Sequence, residues 1–310
     1  MNVVQYAKTD TPVNRLGFGA WQLGNTEFWG HMSVDEGVAL VKTAIQRGIN
    51  FFDTAPGYAN GLSETILGMA IKDQREKVVI NTKFGHKADG SSDFHPASIR
   101  ESVLDSLSRL QTDYVDSVVM HNPGFDVLSG QTTHFQMFEQ LKDEGLIRAY
   151  GVSIDSAEEM DMVLTHLQVD VIEVLFNLFF QAPAKHFKAA ASQHISLVVK
   201  VPLDSGWLTG KYDEDTIFQG IRSRWDDQTL QRRGKLVRQL KHITGHDNLT
   251  PYAMAFILSH PEITAVIPGI KSVKQLDEHI RAAGTPLPDD LKQAFITLYE
   301  QELKHDPLPW

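Results

Sequence analysis

The sequence predicts an α/β fold, a (β/α)8 or TIM barrel of one domain, with no separate Rossmann domain. Three observations carry that prediction. Short β-branched runs alternate with helical stretches along the whole chain, which implies parallel strands joined by helical crossovers. Roughly eight such units occur, the number that closes a barrel. The 310 residues lie within the size range of one barrel and contain no linker-like stretch.

In order along the chain, LGFGAW (16–21) is a weak first strand, followed by the helical VDEGVALVKTAIQRG. INFFD (49–53) leads to the helix SETILGMAI, and KVVINTKF (77–84) to HPASIRESVLDSLSRL. YVDSVVMH (114–121) precedes HFQMFEQLKDEG, and IRAYGVS (147–153) precedes AEEMDMVLTHL. VDVIEVLF (169–176) then leads to AKHFKAAASQH, and ISLVVKV (195–201) is the seventh strand. Segment 202–250 carries Gly206, Gly210, Gly220, Gly234 and Gly245 and departs furthest from the alternation. It reads as a long loop, and a long loop after a barrel strand more often covers an active site than joins domains. YAMAFILSH and ITAVIP (263–268) supply the remaining helix and strand, and 287–310 reads as a helix with a Pro-rich tail ending in Trp310. That tail is expected to fold back over the barrel mouth.

Composition narrows the function classes. The net charge is −10 and lysine and arginine do not cluster, so a nucleic-acid polyanion is disfavoured as partner. A small anion remains compatible, because a local basic pocket can exist on an acidic surface. With no cysteine there is neither disulfide, zinc–thiolate nor thiol chemistry to expect. No apolar run approaches the ~18 residues of a membrane span. The opening MNVVQYAKTD lacks a basic segment followed by an apolar one, so a cytoplasmic protein is expected.

In a barrel of this kind the chemistry sits at the carboxyl ends of the strands. Those ends are polar here: INFFD ends in Asp53, VVINTKF carries Lys83 next to last, and YVDSVVMH ends in His121. Tyr58 follows Asp53 on the loop leaving the same rim. A tyrosine (reference pKa ~10) is a weak acid at neutral pH. An adjacent ammonium lowers its pKa, a carboxylate holds that ammonium in place, and an imidazole donates a hydrogen bond to a carbonyl oxygen. The set suits protonation of a carbonyl oxygen as hydride reaches the carbon. Singly, Asp53 could cap a turn, His121 could be a satisfied strand-end residue and Tyr58 an ordinary loop tyrosine. Lys83, at the end of an apolar strand, must find a partner, and the four together argue for a site.

The blocks FFDTAPGY, GLSETILGMAI, INTKFG, VVMHNP, YGVS, VPLDSGWLTGKY and VIPGIKS resemble, in order, the signature blocks of the aldo/keto reductases. They span roughly residues 15–285, and the nearest resemblance is to the bacterial general-stress and IolS-like branch. The resemblance implies NADP(H) held across the carboxyl-end face, Tyr58 as general acid, Lys83 and Asp53 as its tuning pair, and His121 orienting the carbonyl. It further implies cofactor contacts from Trp21, Ser153, Glu173, Pro202, Leu203, Ser205, Gly206, Leu208, Gly210, Lys211 and Gly269. Lys271, Ser272, Gln275 and His279 fall where the family meets the adenosine end and its 2′-phosphate. Independently, a PG turn followed by Lys-Ser at a helix start offers backbone N–H groups, a helix dipole and a cation to an anion; Ser272 as a plain N-cap is the simpler alternative.

Three positions depart from the family pattern: Ile154 replaces the usual Asn after the serine of GVS, Glu173 the usual Gln, and His279 the usual Asn. A carboxylate accepts from a carboxamide NH2 but cannot donate to its oxygen, so weaker or differently oriented nicotinamide binding is expected. Trp21, Trp29, Phe125 and Trp207 are expected to line a substrate pocket for a small carbonyl compound. GFGAW lacks the third glycine of a dinucleotide fingerprint, and GWLTGK lacks the spacing of a P-loop. His242 and His246 stand four apart, but Gly245 between them is expected to end the helix, so no metal site is predicted. The rival reading is a cofactor-binding sensor or regulatory subunit with little turnover, since voltage-gated potassium channel β subunits resemble this fold and carry a similar tetrad.

Overall fold

The computed structural model describes residues 3–7, 9, 11–218 and 220–310. Two short antiparallel strands, β1 (Val3–Gln5) and β2 (Pro12–Asn14), precede eight parallel ones. These are β3 (Phe18–Gly19), β4 (Phe51–Asp53), β5 (Val79–Phe84), β6 (Ser117–His121), β7 (Tyr150–Ile154), β8 (Val171–Leu175), β9 (Ser196–Lys200) and β10 (Ile263–Val266), neighbours in chain order. Each predicted run holds one of them, with β7 reaching one residue past its run to Ile154. The seam between first and last closes the sheet: Gly17 N donates to Val266 O and Gly19 N to Pro268 O, both at 2.9 Å. Gly19 is required there, because a Cβ would stand 2.7 Å from the carbonyl oxygen of Ile267.

The helices are α1 (Thr26–Trp29), α2 (Val34–Gln46), α3 (Leu62–Ile71), α4 (Ile99–Leu110), α5 (Phe125–Leu128), α6 (His134–Asp143), α7 (Ala157–His166), α8 (Phe187–Ser192), α9 (Asp227–Thr244), α10 (Thr250–Leu258), α11 (Val273–Ala283) and α12 (Asp289–Glu302). They are cut by local chemistry. Ser33 and Ser156 each form a capping box with a glutamate three residues on, which satisfies orphan N–H groups at both ends of the exchange.

Two cores follow from the period-two alternation of strands. Phe52, Ile80, Val118, Val152, Ile172, Leu197 and Val266 face the helices, while Phe51, Val79, Val119, Val171, Val198 and Ala265 fill the barrel interior. The hairpin of β1 and β2 plugs the far end, with Tyr6 packed on Phe51 and its hydroxyl 2.6 Å from Ser117 Oγ. The sequence reading had not placed this hairpin.

The reading of 202–250 as a loop needs correction, because it contains α9, an 18-residue helix. Leu236, Val237 and Leu240 are buried along one side of α9. Gly234, which suggested a loop, is instead a close-approach residue: a Cβ there would stand 2.6 Å from Glu214 N. Arg233 of α9 pairs with the fully buried Asp204 and donates to the carbonyl of Pro309 at 2.9 Å. The C-terminal tail is thereby fixed against the helix, and Trp310 reaches the cavity described next.

Candidate active site

The same alternation that fills the interior with Phe51, Val79, Val119, Val171 and Val198 turns the next inward positions polar. Two or four residues further along their strands stand Asp53, Asn81, Lys83, His121, Glu173 and Lys200, with Ser153 beside His121 and Glu173 in register. A slip of one residue would face these groups toward the helices. Of these, Asp53, His121, Glu173 and Lys200 form the polar floor of a cavity of about 1090 Å³ at the carboxyl ends of the strands, and Asn81, Lys83 and Ser153 are buried behind them.

Lys83 is buried, and its ammonium lies 2.5 Å from Asp53 Oδ1, 3.1 Å from the carbonyl of Thr54 and 3.4 Å from Glu173 Oε2. Burial alone would lower its pKa, but Asp53 and Glu173 outweigh that and hold it above the ordinary lysine value. Asp53 accepts a second hydrogen bond from Asn81 Nδ2 at 2.7 Å. Burial and the neighbouring Glu173 push Asp53 up to about 7, against the pull of Lys83. Glu173 is held below the ordinary glutamate value, since burial is outweighed by Lys83 and Lys200.

Tyr58 enters from the turn after β4, where Ala59 and Asn60 both take left-handed backbone angles (φ 50 and 54) and swing the chain into α3. Its ring lies 5.2 Å from the Lys83 ammonium and 6.3 Å from the His121 ring, near edge-to-face with the latter. The sequence led to the expectation that Lys83 would lower its pKa. Burial instead pushes the phenol above its ordinary value, although Lys83 pulls the other way. Desolvation of the phenolate exceeds the lysine's attraction. The hydroxyl therefore keeps its proton at neutral pH, the state a proton donor needs. His121 is held well below the ordinary histidine value by burial and then by Lys83, Lys200 and His86, so it stands neutral.

The rim comes from the loops. Gln22, Trp21 and Trp29 line it from the β3 side, and Pro202, Leu203, Ser205, Gly206, Gly210 and Lys211 from the segment after β9. Val201, Asp204 and Ser205 take left-handed angles (φ 53, 46 and 54), costly for such residues, and these bend the segment back toward the cavity. Gly269, Lys271, Gln275 and His279 line the opposite side. Lys271 Nζ donates to the carbonyl of Trp29 at 3.1 Å, bridging the two sides of the mouth.

Other predicted residues lie elsewhere. Ser153 is buried beneath the floor, donating to Glu173 Oε1 at 3.2 Å and accepting from Lys200 Nζ at 2.8 Å. Leu208 is buried in the helix-side core, and Ser272 is the N-cap of α11, accepting from Gln275 N at 3.2 Å. The structure does not bring Phe125 or Trp207 to the cavity: Phe125 is 48% exposed on α5, and Trp207 is fully buried against Tyr212, Phe218 and Trp225. Ile154 is buried among apolar residues at the end of β7.

Lys200, Asn122, Asn81 and Asp155 escaped the sequence reading. Lys200 Nζ lies 2.8 Å from Asn122 Oδ1, Ser153 Oγ and Asp155 Oδ1. The signal was present, since Lys200 ends an apolar strand and Lys83 stands next to last in one, and Asn81 precedes Lys83 by one pleat period.

The geometry thus gathers a protonated phenol and a neutral imidazole over a buried lysine–carboxylate pair, at a large cleft on the carboxyl ends of a closed barrel. The aldo/keto reductase family model matches residues 15–296. Aldo-keto reductase YhdN of Bacillus subtilis is 30% identical across 99% of this chain and 96% of its own length. The NADH-specific methylglyoxal reductase of Escherichia coli is 29% identical, covering 93% and 95%. Among solved structures, the holo form of aldo-keto reductase AKR11C1 from Bacillus halodurans aligns over 96% of both chains, with a TM-score of 0.81 and 27% identity. Fold, order of blocks and extent of match agree, and the chain belongs to the aldo/keto reductase family.

Proposed function

We propose that this oxidoreductase reduces an aldehyde or ketone to an alcohol with NADP(H) and runs the reverse oxidation on the same residues. The observation that carries the reading is the convergence of Tyr58, Asp53 and His121 on one cavity, with Lys83 buried behind them against Asp53. That cavity is at the upper end of small-molecule sites, which run to roughly 1,000 Å³, and suits an extended dinucleotide. Its lining also carries buried polar atoms that have no hydrogen-bond partner among the described residues: Gln22 Oε1, His121 Nδ1 and His279 Nδ1. Unsatisfied buried groups of this kind are costly unless a ligand meets them.

When bound, the cofactor supplies the hydride chemistry; the protein supplies orientation and the proton. Tyr58 donates its hydroxyl proton to the carbonyl oxygen, and Lys83, anchored by Asp53, stabilises the phenolate left behind. Neutral His121 orients that oxygen by a hydrogen bond. Glu173 and Lys200, with Ser153 behind them, would hold the nicotinamide, while Lys211, Lys271, Gln275 and His279 would hold the adenosine end. The cations Lys211 and Lys271 favour the 2′-phosphorylated cofactor.

The test follows NADPH oxidation across a panel of aldehydes and ketones in wild type and Tyr58→Phe. Turnover is expected to fall about 10²–10⁴-fold, the usual worth of a positioned acid, with NADPH still bound. Full activity in Tyr58→Phe would remove it as the donor. A wild type that binds NADPH yet turns over no substrate would favour the sensor reading.

A further inference from the structure

We propose that Glu173 makes the floor of this site prefer the oxidised, cationic nicotinamide over the reduced, neutral one. The inference rests on the cofactor reading above and concerns which redox form is held more tightly.

Above pH about 7, where Asp53 is ionised, the charges on the floor do not balance. Lys83 pairs with Asp53 at 2.5 Å and stands farther from Glu173, at 3.4 Å. Lys200 pairs with Asp155 at 2.8 Å. The two ammonium groups thus have closer carboxylates than Glu173. It also accepts from Ser153 Oγ at 3.2 Å on Oε1 and from Asn81 Nδ2 at 3.3 Å on Oε2, and shares a hydrogen bond with the Asp53 carboxyl. Such donors satisfy lone pairs without cancelling the charge. The imidazoles facing the cavity do not help, because burial lowers His121, His86 and His279 and leaves them uncharged near neutral pH. Glu173 is only 2% exposed yet contributes to the cavity lining, so its field is weakly screened and points into the space where the ring would lie.

Oxidised nicotinamide carries a positive charge on its ring, and the reduced ring carries none. A surplus carboxylate therefore distinguishes the two forms, which a hydrogen-bonding amide of the same shape could not. Tighter binding of the oxidised form makes the bound couple harder to reduce, so bound NADPH becomes the stronger hydride donor. The carboxylate also raises the barrier to release of NADP+ after reduction.

The experiment titrates wild type, Glu173→Gln and Lys200→Met with NADP+ and with NADPH, following quenching of tryptophan fluorescence. Glu173→Gln is expected to weaken NADP+ relative to NADPH on the order of tenfold, the effect of one charge at ~7 Å with effective dielectric ~30. Lys200→Met, which removes a cation, is expected to move the ratio of dissociation constants the opposite way. An unchanged ratio in Glu173→Gln overturns the proposal, as does equal weakening of both forms, which would mark a hydrogen-bonding role. If Glu173→Gln does not fold, Lys200→Met alone decides, and a ratio equal to wild type overturns it. Failure of wild type to bind either form would instead sink the cofactor reading itself.

Discussion

Lys83 is defined by three strands at once: β5 carries it, β4 supplies Asp53 and β8 supplies Glu173. Its identity as a site residue was legible because a lysine ending an apolar strand must find anionic company. Asp53 and His121 were legible for the same positional reason, and Tyr58 through its distance from Asp53. Lys200 carries the same strand-end signature, but nothing local in the sequence shows that its partners are Asn122 and Asp155 on other strands' loops. Trp207 shows the opposite failure, since an aromatic in an active-site segment can as well pack inward as outward, and only the backbone direction decides. Lys271 invites a direct test at this scale. Replacing it with Met should raise the dissociation constant for NADPH about tenfold or more, the worth of a charge-assisted hydrogen bond of ~1.5–3 kcal/mol, and leave that for NADH nearly unchanged. Equal effects on both cofactors would remove Lys271 from the 2′-phosphate.

At the scale of elements, α3 is fastened to the barrel by Glu64. This fully buried carboxylate accepts from Thr82 Oγ1 of β5 at 2.6 Å and pairs with Arg109 of α4 at 2.7 Å. Arg109 retains a quarter of its side chain in solvent and Glu64 none, so the two halves are unequal. Arg109→Met strands a buried carboxylate and should cost about 3 kcal/mol of unfolding free energy. Glu64→Gln, which keeps the shape and leaves the arginine a route to water, should cost less; urea melts ranking the two the other way would refute this account. The strands themselves were readable, because parallel strands buried on both faces are continuous apolar runs. Neither α9 nor the N-terminal hairpin was: a glycine in mid-helix and two three-residue strands weaken every local signal. What fixes them is tertiary, the approach of α9 to Glu214 and the docking of Tyr6 on the barrel floor.

The whole molecule carries a pH signature from His279, which is buried where the cavity meets α11. Burial, reinforced by Lys211, lowers it to about 4 from an unfolded value of ~6.5. The unfolded chain therefore takes up the proton first, so this stabilisation is complete above pH ~6.5 and is lost as pH falls toward 4, by up to about 3 kcal/mol. Denaturant melts at pH 4.5 and 7.5 should show a smaller difference in His279→Gln than in wild type. An identical difference would exclude His279 as a source of acid sensitivity. The barrel seam has a further consequence, this one in time. Residues 16–19 can meet their partners only when residues 266–269 have been made. A chain leaving the ribosome therefore holds Asp53, Tyr58, Lys83 and His121 long before Gly269, Lys271 and His279 exist to face them. The proposed catalytic set is synthesised early, and the far wall of its cleft comes almost last.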